Sequence, residues 1–231
     1  MPSNSMVEIK ICGINDLAAM EAALAGGADL VGLVFFRASP RALTYDAALK
    51  LAEQARGRAR IVALTVDAPD EELARVVETI NPDLLQLHGE ESPTRIAEIR
   101  ARFGRPVMKA IRVAAPDDLA AVPTFAAVAD WLLFDARPPR DATRPGGHGR
   151  AFDWALLSRV ERTKPVMLSG GLDATNVAVA IRTVRPDAVD VSSGVERAPG
   201  MKDPEKILAF VAAARAAAAT LTVKRAKEKA S

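Results

Sequence analysis

Eight short runs rich in apolar and β-branched residues recur along the chain, at 7–12, 30–35, 61–66, 84–87, 107–111, 131–134, 166–168 and 188–191. Their length and composition predict strands. Between most of them the apolar positions return every three to four residues, as in 16–25, 46–56, 71–80 and 93–102, and that period predicts helices. Successive strands start roughly 22 to 35 residues apart, close to the ~30 that one β-α-β unit consumes. Strands alternating with helices imply parallel pairing. Eight such units closing on themselves give an α/β fold, a single (β/α)8 TIM barrel. An open doubly wound sheet is the alternative, but it usually has fewer strands, and no Gly-x-Gly-x-x-Gly follows the first run.

Local signals agree with this frame. Asn15 and Asp16 precede the first helix, Asp173 stands before the one after strand seven, and Asp203-Pro204 opens the last. The stretch 212–219 is strongly helix-forming, whereas 224–231 carries mostly charge and is expected to fray. With 231 residues, one barrel domain accounts for the chain. It carries a short polar extension at 1–5 and a charged tail from about 221 to 231.

Charge narrows the partners. The net charge of +2 does not supply the clustered cations that displace counterions from nucleic acid. No apolar run approaches the ~20 residues that span a bilayer, and MPSNSMVE has neither region of a signal peptide, so a cytoplasmic protein with no membrane partner is expected. Cys12 is the sole cysteine, and with only His88 and His148 beside it no metal site is expected. The oligomeric state, monomer or homodimer, is not legible in the pattern.

In such barrels the chemistry sits where strands end on their C-terminal side. Along the first strand Val7, Ile9 and Ile11 alternate with Glu8, Lys10 and Cys12, so the polar set should point into the barrel and Cys12 should end at the mouth. A cysteine is more often a small buried hydrophobe than a reagent. Here, however, Gly13 permits close ligand approach, and Lys10 on the same face should favour a thiolate near neutrality, suited to removing a proton. Strand six ends as WLLFDA, delivering Asp135 from an apolar setting that suits a proton-donating acid, although a helix cap or loop aspartate is the bland alternative.

LSGGLD after strand seven and VSSGVE after strand eight are small, glycine-rich turns at the position where many barrels hold phosphate on backbone N–H groups. Arg37 and Arg41 flank Pro40 after strand two; either could be a solvated cation or a two-pronged grip on a carboxylate. The glycine-rich loop from Arg137 to Phe152 has the length of a mobile cover.

Taken together, KICGI at 10–14, GADLVGLVFF at 27–36, SPR at 39–41, LQLHG at 85–89, FDA at 134–136, GGHGRAFDW, LSGGLDATNV and DVSSGVERAPGMKD resemble the phosphoribosylanthranilate isomerases of tryptophan biosynthesis. The resemblance runs from near residue 7 to about 210. It implies a cofactor-free Amadori rearrangement of an aminoaldose phosphate to an aminoketose phosphate, with Asp135 as general acid and Cys12 as general base. By the same resemblance Arg41 would meet the anthranilate carboxylate, and Gly170, Gly171, Ser193 and Gly194 would cradle the phosphate. Asp190, His88 and Gln86 also fall in matching motifs, where a structural hydrogen bond explains each as well as substrate contact does. His148 departs from the pattern, which has a small hydroxyl residue there. Indole-glycerol-phosphate synthase or the histidine-pathway isomerase would share the phosphate position but not the ends of strands one and six, and a noncatalytic phosphate-binding barrel would need neither Cys12 nor Asp135.

Overall fold

The computed structural model describes residues 7–136 and 152–229, the side chains of Arg159 and of residues 222–229 excepted. The polar extension 1–5 and most of the expected cover loop, with His148, lie outside the described residues. Eight strands, β1 (Glu8–Cys12), β2 (Leu30–Val34), β3 (Arg60–Thr65), β4 (Leu84–Leu87), β5 (Val107–Val113), β6 (Trp131–Ala136), β7 (Val166–Leu168) and β8 (Ala188–Val191), pair in chain order into a closed barrel. Every pairing in it is parallel, including the β1–β8 seam that closes it. Outside run α1 (Leu17–Gly26), α2 (Tyr45–Ala55), α3 (Asp70–Ile80), α4 (Pro93–Phe103), α5 (Val122–Val128), α6 (Val177–Val184) and α7 (Pro204–Lys229). The strands expected from the sequence are all present, and the open-sheet alternative is excluded by the seam.

The helices begin and end for local reasons. Asp16, Thr44 and Ser92 each accept a hydrogen bond from the backbone N–H three residues on, satisfying donors that the first turn leaves free. Gly27 (φ 85°) and Gly104 (φ 59°) close α1 and α4 in the left-handed conformation. Three features differ from expectation. Among the described residues, the crossover after β6 holds a short 3-10 turn, Trp154–Arg159, ahead of β7. After β8 the chain makes a small antiparallel hairpin, β9 (Glu196–Ala198) with β10 (Met201–Lys202). The charged C-terminal segment stays helical to Lys229 instead of fraying from 224, because its lysine, alanine and glutamate residues are strong helix formers.

Strand residues alternate between two separate cores. Ile9, Ile11, Val31, Leu33, Leu85, Phe134 and Val189 pack outward against the helices. Leu30, Val62, Leu84, Met108, Leu133, Met167 and Ala188 fill the barrel interior. Above this apolar plug the interior turns polar, with Lys10, Gln86 and Asp190 all buried. The polar layer therefore has a dry floor, and ligand access is from the C-terminal mouth.

The opposite end shows a repeat. An aspartate precedes β2, β4, β6 and β8, in ADL, PDL, ADW and PDA. Each carboxylate accepts from the first or second backbone N–H of the strand before it: Asp29 from Ile9 at 2.7 Å, Asp83 from Ile61 at 2.7 Å, Asp130 from Val107 at 2.9 Å and Asp187 from Val166 at 2.8 Å. These bonds staple consecutive strands in pairs and satisfy donors that the barrel bottom would otherwise leave bare. Replacing Asp83 with alanine is expected to cost about 1–3 kcal/mol in urea unfolding with turnover of the folded fraction unchanged, while Asp83→Asn, which keeps an acceptor, should lose less.

Candidate active site

Cys12 is the last residue of β1 and Asp135 the next-to-last of β6, so both sit at the C-terminal rim. Both are buried. Asp135 Oδ2 lies 3.2 Å from His88 Nε2, although β5 separates their strands. Side chains from β4 and β6 meet across β5 only inside the barrel, which fixes the direction of the carboxyl group. Its other oxygen accepts from Ala136 N at 2.9 Å. Gln86 Nε2 lies 2.9 Å from His88 Nδ1. A donor amide on Nδ1 puts the ring proton on Nε2, facing Asp135.

The thiol is equally enclosed. A Cβ on Gly32 would lie 2.8 Å from Cys12 Sγ and 3.2 Å from Lys10 Nζ, so the glycine of β2 makes the space these two share. Lys10 is fully buried and its Nζ is 2.9 Å from Asp190 Oδ1. Burial works against the Lys10 charge, but Asp190 and Cys12 outweigh it and hold the ammonium above the ordinary lysine value. For Cys12, burial pushes the thiol above its ordinary value; Lys10 and Lys202 pull it down and Asp190 pushes it up. The expectation of a near-neutral thiolate in the free protein is therefore corrected: Lys10 is where the sequence placed it, but its charge is already shared with Asp190, and desolvation prevails.

Asp190 has both oxygens engaged, Oδ1 by Lys10 and Oδ2 by Ser169 Oγ at 3.1 Å. Of the two readings open for it, these contacts fit the structural hydrogen bond. His88 likewise bridges Asp135 and Gln86.

The two glycine turns meet at the same rim. Gly170 (φ 85°) lies against Asp135, where a Cβ would come within 3.0 Å of Oδ1 and 2.4 Å of Ala136 N. A Cβ on Gly194 would be 1.9 Å from Leu172 O, so the turns after β7 and β8 touch backbone to backbone. Ser193 opens a 3-10 turn, Ser193–Val195. Among the described residues the N–H groups of Gly170, Gly171, Ser193 and Gly194 donate to no protein acceptor. Adjacent free donors of this kind form a concavity for an anion.

Arg41 is not the free cation that its sequence context suggests. It is 5 % exposed, and its Nε and Nη2 donate to Glu196 Oε1 and Oε2 at 2.6 and 2.8 Å. Lys202 Nζ lies 2.9 Å from the same carboxylate and donates to Ser192 O at 2.8 Å. Burial pushes Lys202 down to about 8, against the pull of Glu196. Burial alone would raise Glu196, yet Arg41 and Lys202 hold it below the usual carboxylate range. Neither Glu196 nor Lys202 stands out in the sequence; the only signal is the Pro199-Gly200 turn between them, which folds two charges six residues apart onto each other. Arg37 is exposed and makes no comparable pair among the described residues.

A parallel eight-stranded barrel whose mouth collects an enclosed carboxyl, an enclosed thiol and two open glycine turns has the architecture of barrel enzymes that convert phosphorylated sugars. The family model for N-(5'phosphoribosyl)anthranilate (PRA) isomerase matches residues 9–213, and the chain belongs to that family. The N-(5'-phosphoribosyl)anthranilate isomerase of Rhodopseudomonas palustris (strain BisA53) is 62% identical over 210 residues, 91% of this chain and 96% of that protein. A phosphoribosyl anthranilate isomerase solved with reduced 1-(o-carboxyphenylamino)-1-deoxyribulose 5-phosphate superposes with a TM-score of 0.80 at 33% identity, over 91% of this chain and 100% of that one. Generated monomers of the dimeric phosphoribosylanthranilate isomerase from Thermotoga maritima match with the same TM-score, identity and coverage. The chain is an isomerase of tryptophan biosynthesis.

The raised thiol has a direct consequence. Alkylation of Cys12 by iodoacetamide at pH 7.5 should be slower than that of an unstructured peptide thiol, and should climb as the pH passes about 9, the ordinary thiol value. A Cys12 that reacts as fast as the peptide at pH 7.5 contradicts the burial argument.

Proposed function

We propose that this chain converts N-(5-phosphoribosyl)anthranilate into 1-(o-carboxyphenylamino)-1-deoxyribulose 5-phosphate by general acid–base catalysis, with Asp135 as acid and Cys12 as base. What supports the reading is convergence: an enclosed carboxyl backed by His88, and an enclosed thiol backed by Lys10, share one mouth with the two glycine turns. Asp135 gives its proton to the furanose ring oxygen as the C1–O bond breaks. The anthranilate nitrogen lone pair then forms the C1=N iminium. Cys12, as thiolate, takes the proton from C2, and the electron pair moves to form the C1=C2 enolamine. Protonation at C1 and loss of the C2 hydroxyl proton give the ketone and return both side chains to their starting forms. All redox change is internal to the sugar, so no electron carrier enters the balance.

The high basicity of Cys12 fits this order of events. The free protein stores the sulfur as thiol; the iminium, a cation formed beside it, adds the positive charge that favours thiolate next to Lys10. The thiol thus gives its proton to solvent before it takes the one from C2, and regains a solvent proton when product leaves. Basicity withheld from the empty site thus becomes available in the intermediate. Gly170, Gly171, Ser193 and Gly194 would hold the substrate phosphate on their N–H groups. Arg41 would meet the anthranilate carboxylate through its Nη1/Nη2 edge, since Glu196 occupies the other edge.

Every group named comes from one chain, so the site is complete in a monomer, and specific activity should not change on dilution through a monomer–homodimer transition. Among the described residues no helix is long and apolar enough to cross a membrane. A substrate bearing phosphate and carboxylate does not cross bilayers unaided, which argues for a cytoplasmic enzyme.

Incubation with phosphoribosylanthranilate should quench the anthranilate-type fluorescence; folded protein that leaves it constant refutes the assignment. Cys12→Ala and Asp135→Asn should each lower kcat by at least ~10²-fold with binding of the reduced product analogue retained. Near-normal turnover by either variant would reassign its role.

A further inference from the structure

Arg41, Glu196 and Lys202 form a buried cluster that the acid–base steps leave unused. Arg41 grips both oxygens of Glu196, Lys202 Nζ holds Oε1, and Gly200 N lies 3.3 Å from Oε2. The arginine stem is wedged as well. A Cβ on Gly13, the residue after Cys12, would lie 2.4 Å from Arg41 Cδ, and one on Gly200 would lie 2.4 Å from Pro40 O. The loop after β2 is thus pressed between the end of β1 and the β9–β10 hairpin, which Asn15 Nδ2 also holds through Gly200 O at 2.8 Å.

Buried charges are a poor way to stabilise a fold, since apolar residues of similar volume fill such a space at least as well. They are a good way to fix an orientation. With Nε and one Nη2 hydrogen committed to Glu196, the Nη1/Nη2 edge meets no hydrogen-bond acceptor among the described residues. That edge matches a planar carboxylate through two parallel hydrogen bonds. Two cations and one anion leave the cluster with a single net positive charge, the complement of one carboxylate. Lys202 also donates to Ser192 O and Oγ, at 2.8 and 3.2 Å, joining the cluster to the turn that follows β8.

We propose that Glu196 is a positioning residue that sets specificity for the carboxylate on the substrate's aromatic ring, by locking Arg41 so that its Nη1/Nη2 edge faces the mouth. This rests on the reading that Arg41 meets that carboxylate. Lys202 completes the lock by fixing Glu196 to the turn after β8. The cluster therefore acts on recognition, leaving proton transfer to Asp135 and Cys12.

The test compares two substrates made by condensing ribose 5-phosphate with anthranilate or with aniline, which lacks the carboxylate, with product followed chromatographically. For Glu196→Gln, the ratio of kcat/KM values, anthranilate over aniline substrate, should fall about tenfold, mainly through KM for the anthranilate substrate. Glu196→Asp keeps the charge but draws the fork back, and should show the same selective loss; it decides the matter if the glutamine variant does not fold. Equal losses on both substrates, or an unchanged ratio, overturn the positioning role. Arg41→Met tests the underlying reading separately: if it keeps the wild-type ratio, Arg41 does not meet the carboxylate. If the ratio collapses in Arg41→Met but holds in the Glu196 variants, the arginine reading stands and the positioning role alone is wrong.

Discussion

The salt bridge between Lys10 and Asp190 spans the seam at which the barrel closes. The two residues are register partners of β1 and β8, their side chains meet inside at 2.9 Å, and neither is more than 4 % exposed. A buried charge left without its partner typically costs about 3–5 kcal/mol, so the pair is tolerable only in the register that brings its members together. A slip of one residue would turn Ile9 and Ile11 into the barrel and Lys10 toward the helices. Closure, register and the polarity of the interior are thus one constraint.

From that pair the arrangement of the mouth follows by contact. Asp190 is steadied by Ser169, whose neighbour Gly170 lies against Asp135, which faces His88 across β5. On the other side Lys10 reaches Cys12 through the space left by Gly32. The Asp135 carboxyl and the Cys12 thiol are connected through the polar layer that roofs the apolar plug, and each has a partner that sets its direction. The same enclosure that orients the thiol also depresses its acidity in the free protein. A site that is dry enough to strengthen electrostatic interactions also keeps its resting sulfur protonated.

Much of the molecule was legible in the chain, and residue types explain which parts. The strands were legible because a strand inside a barrel is buried on both faces and reads as a dense apolar run. The start of α1 was legible from Asp16, which works through a backbone N–H three residues on. The placement of Cys12 and Lys10 on one inward face followed from the two-residue alternation. The aspartates before the even strands were also in plain sight, although their use becomes clear only when each is seen capping the strand before it.

Periodicity and local chemistry along the chain carried the eight-fold alternation and the residues that bring a thiol, a carboxyl group and glycine turns to one end of the barrel. How those groups are charged and aimed came from the folded surroundings. The thiol lies above its ordinary value, Arg41 offers one edge and not two, and Asp190 serves Lys10. Those outcomes depend on burial and on partners 155 and 180 residues away. Desolvation and pairing are properties of a three-dimensional surrounding, and no window along the chain contains it.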